Sequence, residues 1–155
     1  MKILLLILIT PFIFSLETKQ TFCEDAEVFF IAPKNGLISS SGDVLVKFGS
    51  KNIQISPAGV EVNNSNECIL YGHHHLIIND AYNVIANKGV PIPFEKNVLH
   101  FGGGQTEAAL SLSPGKYELQ LAIADYQHKP LKLENSSNEY VPILSEKIII
   151  EIIEN

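Results

Sequence analysis

Apolar residues at every second position dominate this chain, and no segment carries a competing helical period. Tyr117, Leu119, Leu121 and Ile123 alternate with Glu118, Gln120, Ala122 and Ala124. Val44, Val46 and Phe48 do the same within Asp43–Phe48. Alternate side chains of a strand point to opposite faces, so a period of two marks a half-buried β-strand. Further short apolar runs occupy 27–31, 52–55, 69–78, 98–101, 107–112 and 144–153. Turn sequences divide them, namely Pro33-Lys-Asn-Gly36, Ser56-Pro-Ala-Gly59 and Ser113-Pro-Gly-Lys116. Glycine, proline and asparagine supply the dihedral angles that reverse a chain. Residues 80–97 read as a long loop with at most one helical turn, and 126–142 as a polar loop. About eight strands at spacings of roughly ten residues predict an all-β, immunoglobulin-like β-sandwich. The stretch PGKYELQL places a tyrosine at the start of a late strand, as such sandwiches do.

The first residues are of another kind. Met1-Lys2 is a short basic start, Ile3–Ile9 and Phe12–Leu16 are apolar, and Glu17-Thr-Lys-Gln20 is polar. That order predicts a signal peptide over 1–18 with cleavage near 15–18, followed by a single domain over 19–155. The apolar run is short for a membrane span. A retained anchor is the alternative, and lipidation at Cys23 fits badly because Gln20-Thr-Phe22 lacks small residues. The expected product is exported, to the periplasm or beyond, and is not held in a membrane after cleavage.

Charge narrows the partners. The formal net charge is −6 and all 11 basic residues are lysine. Arginine is the planar fork for phosphate and for guanine edges, so an acidic, arginine-free domain is a poor binder of nucleic acid or anionic lipid. Cys23 and Cys68, 45 positions apart, form an even pair. In an oxidising compartment that suggests a disulfide, worth about 4 kcal/mol on the chain-entropy model. Two free thiols are the alternative.

Three adjacent histidines in YGHHHLIIN (71–79) pose the functional question. On a strand over 69–78, Leu70, Gly72, His74, Leu76 and Ile78 share the more apolar face, which is assigned to the core. His74 then points inward as a core histidine. His73 and His75 project together from the other face, with α-carbons roughly 6.5–7 Å apart from the strand rise. Two imidazoles so placed can converge on one ion, and neutral imidazole suits Zn²⁺ or Cu²⁺. His100 and His128 both stand at predicted strand ends, where sites are built, and either would supply a third ligand. A Cu⁺ site is disfavoured, since the only methionine is Met1. The alternative is a hydrogen-bonded scaffold of histidines in a cell-envelope structural or protein-interaction module.

Gly102-Gly-Gly104 and Gln105 form the second feature. The run fits no phosphate-binding pattern, because no helix follows to present its N-terminus. It reads as a tight hairpin or bulge, or as a loop lining a small-ligand pocket with the Gln105 amide. A zinc-bound water with Glu107 or Asp125 as base would make an enzyme. No spacing selects one, so the reading leans away from catalysis.

The set SPAG (56–59), GHHHLII (72–78), HFGGGQTE (100–107), LSPGKYELQLAIAD (112–125) and SEKIII (145–150) resembles the exported bacterial family called domain of unknown function 4399. The resemblance spans residues 27–153. It implies a periplasmic or otherwise exported domain and no established activity. Against the family pattern, Asn79 replaces the usual aspartate, and Leu131 or a neighbour stands where a second histidine often follows the counterpart of His128. Residues 60–70, which hold Cys68, are longer here, so the disulfide would be peculiar to this chain.

Overall fold

The computed structural model describes residues 25–62, 69–133 and 139–154. The expected signal peptide over 1–18, and both Cys23 and Cys68 of the expected disulfide, lie outside them. Among the described residues there are strands and turns and no helix, so none is long and apolar enough to cross a membrane. In chain order the strands are β1 (Glu27–Ala32), β2 (Ile38–Ser39), β3 (Asp43–Lys51), β4 (Ile53–Ile55), β5 (Leu70–Ile78), β6 (Val98–His100), β7 (Glu107–Ser111), β8 (Gly115–Ala124), β9 (Lys132–Leu133), β10 (Val141–Pro142) and β11 (Ile148–Ile152). Eight have three or more residues; β2, β9 and β10 have two each.

The protein is all-β. One sheet orders β1-β3-β7, antiparallel throughout. The other orders β2-β11-β8-β5-β4, with β6 also on β5. β9 and β10 pair separately. The alternating residues meet between the two large sheets. Val28, Val44, Val46, Phe48 and Leu110 come from the first; Leu76, Ile78, Leu119, Leu121, Ile123 and Ile150 come from the second. Leu119, Leu121 and Ile123 are fully buried, each worth about 1.5–3 kcal/mol relative to exposure. Two sheets facing across one apolar core are consistent with a β-sandwich. Leu45, between Val44 and Val46, is half-exposed, as the period of two requires.

The turns follow their residues. Gly36 closes the first at φ 84°, and Asn35 Oδ1 accepts from Ile149 N at 2.8 Å, tying that turn to β11. Asn79 and Asp80 adopt φ 55° and 53°, and Asn79 Oδ1 accepts from Glu118 N at 2.9 Å. Short polar side chains tolerate this left-handed region better than other non-glycine residues. Tyr117 donates its hydroxyl to Ser113 O at 2.8 Å, four residues upstream.

Two expectations need revision. The closing strand begins at Ile148, not Leu144, because Ser145 N donates to Leu121 O and Ser145 Oγ accepts from Leu121 N, binding 144–145 to β8 irregularly. The second face of β5 is also not an outer face. Residues 79–97 contain no strand, but they carry Val84 and Ile92 into a second apolar cluster with Ile77, Val98, Ala122 and Ala124. Both faces of β5 are therefore covered, and Gly72–Ile78 are buried without interruption.

Candidate metal centre

β5 is an interior strand whose partners change along its length. β8 runs along one flank, setting Ala124 opposite His73 and Ala122 opposite His75. On the other flank β4 pairs in parallel with Leu70–Gly72, and β6 pairs antiparallel with His75–Ile77. Between these two ladders, Phe101 N donates to His74 O at 3.0 Å. Alternation turns His73 and His75 to one side. Directly opposed residues also share a face, so the pairing of His75 with His100 brings the third imidazole there. On the β8 flank the same face carries only the small side chains of Ala122 and Ala124, which leaves room for rings.

Local chemistry aims the other two rings. A Cβ on Gly102 would lie 2.2 Å from His100 Cε1, so glycine is what allows the His100 imidazole to fold back over its own turn. His128 comes from the turn after β8. Asp125 Oδ1 accepts from Gln127 N at 2.8 Å and Lys129 N at 2.9 Å, and His128 N donates to Asp125 O at 2.9 Å. His128 itself sits at φ 66°, and its carbonyl accepts from Ile92 N at 2.8 Å.

The four imidazoles converge. His73 Nε2 and His75 Nε2 are 3.1 Å apart, and so are His100 Nε2 and His128 Nε2. Ring centroids of all six pairs lie between 4.7 and 6.0 Å. The ligand nitrogens of His73, His75 and His100 fall within 4.8 Å of one another, with no acidic or thiol group in the set. His128 joins through His100. His73 and His75 are fully buried, whereas His100 and His128 are partly exposed.

Burial sets the protonation. It lowers the pKa of His73 to about 4, helped by the neighbouring charges of His100 and His128. It lowers His75 to about 2, with His73 and His100 next in effect. His100 moves down for the same reasons, burial first and then His128. Near pH 7 these rings are neutral, the form that binds a metal.

The distances fit an ion. Two nitrogens on one tetrahedral Zn²⁺ at ~2.0–2.1 Å would stand about 3.3 Å apart. The two observed 3.1 Å approaches need little adjustment, while the nitrogens of His73, His75 and His100, which lie within 4.8 Å of one another, would draw closer around the ion. Part of the hydrogen-bonding capacity of these rings is unmet whether or not an ion is held at Nε2. Nδ1 of His73 and Nδ1 of His75 are buried without a partner, and such atoms cost about 1–3 kcal/mol each.

The remaining sequence candidates do other work. His74 points into the main core, its ring 5.0 Å from that of Phe48. Gln105 Oε1 accepts from Gly103 N at 3.0 Å, so this amide closes its own turn. Gly104 takes φ 80° in that turn. Glu107 is ion-paired with Lys47 of β3 at 2.9 Å, and the Asp125 carboxylate is held by the turn it organises. What the sequence did not reveal is an apolar wall. Pro91, Ile92, Pro93 and Phe94 face His75, His100 and His128 across an open recess of about 210 Å³.

The family described as domain of unknown function (DUF4399) matches this chain over residues 46–152. No curated protein and no solved structure matches it.

Proposed function

The chain belongs to the DUF4399 family, and from the geometry of its histidines we propose that it binds one divalent transition-metal ion, Cu²⁺ or Zn²⁺. His73, His75 and His100 are the ligands, and His128 is the fourth. The observation that carries this reading is the convergence of three ligand nitrogens within 4.8 Å on rings that burial keeps neutral. Imidazole donors favour Cu²⁺ and Zn²⁺ among first-row divalent ions. The absence of a carboxylate from the set argues against Ca²⁺ or Mg²⁺, which take oxygen ligands. The open recess makes a small ligand beside the metal part of the same reading.

Three further parts of the proposal have separate support. The apolar run ahead of Glu17 supports export to the periplasm or beyond, with 1–18 removed. The Tyr117 hydroxyl on Ser113 O supports an immunoglobulin-like relationship, because such sandwiches bond a late-strand tyrosine to the backbone just upstream. Cys23 and Cys68 remain a proposed disulfide on their even count.

The test is calorimetric titration of Cu²⁺ and Zn²⁺ into protein carrying no polyhistidine tag. One ion per chain is expected. Loss of an outer partner alone costs about 10–100-fold in metal affinity, so the His73→Ala/His75→Ala variant should fall below detection. His74→Leu, on the opposite face, should still bind. Equal, weak binding by the wild type and the double variant, both folded by circular dichroism, overturns the proposal. It would favour a structural or partner-binding envelope module instead.

A further inference from the structure

The recess beside the histidines is lined by three of the four, His75, His100 and His128, and not by His73. In a four-ligand cluster those three rings form the face opposite the fourth. A molecule in the recess would therefore meet the ion from the side away from His73. The wall across from it is preset. Proline fixes the backbone at 91 and 93. Ile92 is buried, and its N–H is bound to His128 O, so the wall is tied to the turn that carries His128. At the mouth Phe94 is 76% exposed, with its ring 6.4 Å from that of His100. An aromatic left so far in water beside a cavity is available to cover a ligand.

Charge decides what enters. Neutral imidazoles leave the two positive charges of the ion uncompensated, and the coordinating group contains no acid. Apolar walls cannot solvate a charge, so an anion in this recess would be stabilised chiefly by the metal. The same walls favour an apolar body behind the anionic group. A volume of about 210 Å³ is below the ~300 Å³ at which drug-sized ligands begin. We propose, resting on the metal reading above, that the loaded site takes a small organic monocarboxylate in the recess walled by Pro91–Phe94. Its oxygen would donate a lone pair to the ion opposite His73 as a fifth ligand, and its apolar part would lie against Phe94. Such expansion to five coordination is familiar at open metal sites.

The experiment uses tag-free protein loaded with Cu²⁺, with loading established first by calorimetry. Azide, acetate and benzoate are then titrated, each followed by the copper absorption and electron paramagnetic resonance spectra. All three should perturb the spectra, and benzoate should displace azide. Benzoate should bind about tenfold more tightly than acetate, the worth of one good aromatic contact. Phe94→Ala, at an exposed position, should narrow that gap to about threefold or less. If copper is bound but no anion moves its spectra, the ion is closed to ligands and this inference fails while the metal reading stands. Equal affinities of acetate and benzoate for the wild type also overturn it. If calorimetry detects no copper, both readings fail together.

Discussion

His74 and its two neighbours differ in almost nothing but direction. All three are fully buried on β5, one residue apart. His74 enters the core between the two sheets and packs against Phe48. Burial lowers its pKa to about 4, and the Gln105 backbone acts in the opposite sense. Neither of its ring nitrogens meets a partner in full hydrogen-bond geometry. His73 and His75 instead meet two more imidazoles. Equal burial thus yields an isolated ring on one face and a chelating group on the other. The lesson is that neighbours brought in from other strands, not depth, decide what a buried histidine can do.

The contrast can be broken most forcefully from the core side. Phe48 contacts Phe30, Phe101 and His74 and is nearly fully buried. Phe48→Ala should cost about 3–5 kcal/mol in urea unfolding, with metal affinity of the folded fraction retained. An equal loss of metal affinity would show that the two faces are not independent. Acid should reveal what they share. The folded pKa values of His73, His74 and His75 lie below the ordinary 6.5. The unfolded chain therefore takes up protons first as pH falls, so stability is full above 6.5 and declines below it. Between pH 6.5 and 5.5 the metal-free protein should lose roughly 3 kcal/mol, and His74→Leu should remove about a third of that slope. A flat profile in urea melts at the two pH values would contradict neutral burial. The smallest effect sharpens the cluster side. Gly102→Ala places a Cβ against the His100 ring and should weaken metal binding about tenfold, or ~1.4 kcal/mol, while His74→Leu leaves it unchanged.

Alternation made much of this legible in advance. The buried faces of β3 and β8, and the common direction of His73 and His75, follow from a period of two that local sterics enforce. The turn at Pro33–Gly36 follows from residue type, as does the break after β7 at Leu112–Pro114, although Gly115 and Lys116 already belong to β8. Other features depend on distant partners. Val84 and Ile92 lie in the short apolar stretches Val84-Ile-Ala86 and Val90-Pro-Ile-Pro-Phe94, which show no strand or helix period, and nothing local says that these two rather than the exposed Ile85, Val90 or Phe94 cap the second face of β5. β2, β9 and β10 are too short to show a period. Gly102–Gly104 read in sequence as a tight hairpin or bulge, or else a ligand loop, but nothing there says that Gly102 makes room for the His100 ring or that Gln105 Oε1 accepts from Gly103 N. The His75–His100 pairing is a matter of register, which a strand pattern limits but does not specify.

That register has a consequence for the proposed ion. Sliding β6 by one residue against β5 would set Leu99 or Phe101 opposite His75 and turn the third imidazole away. A misaligned chain would lose one of the four proposed ligands and hold the metal more weakly, even with every histidine intact. Uptake of the ion at full affinity would thus report strand alignment.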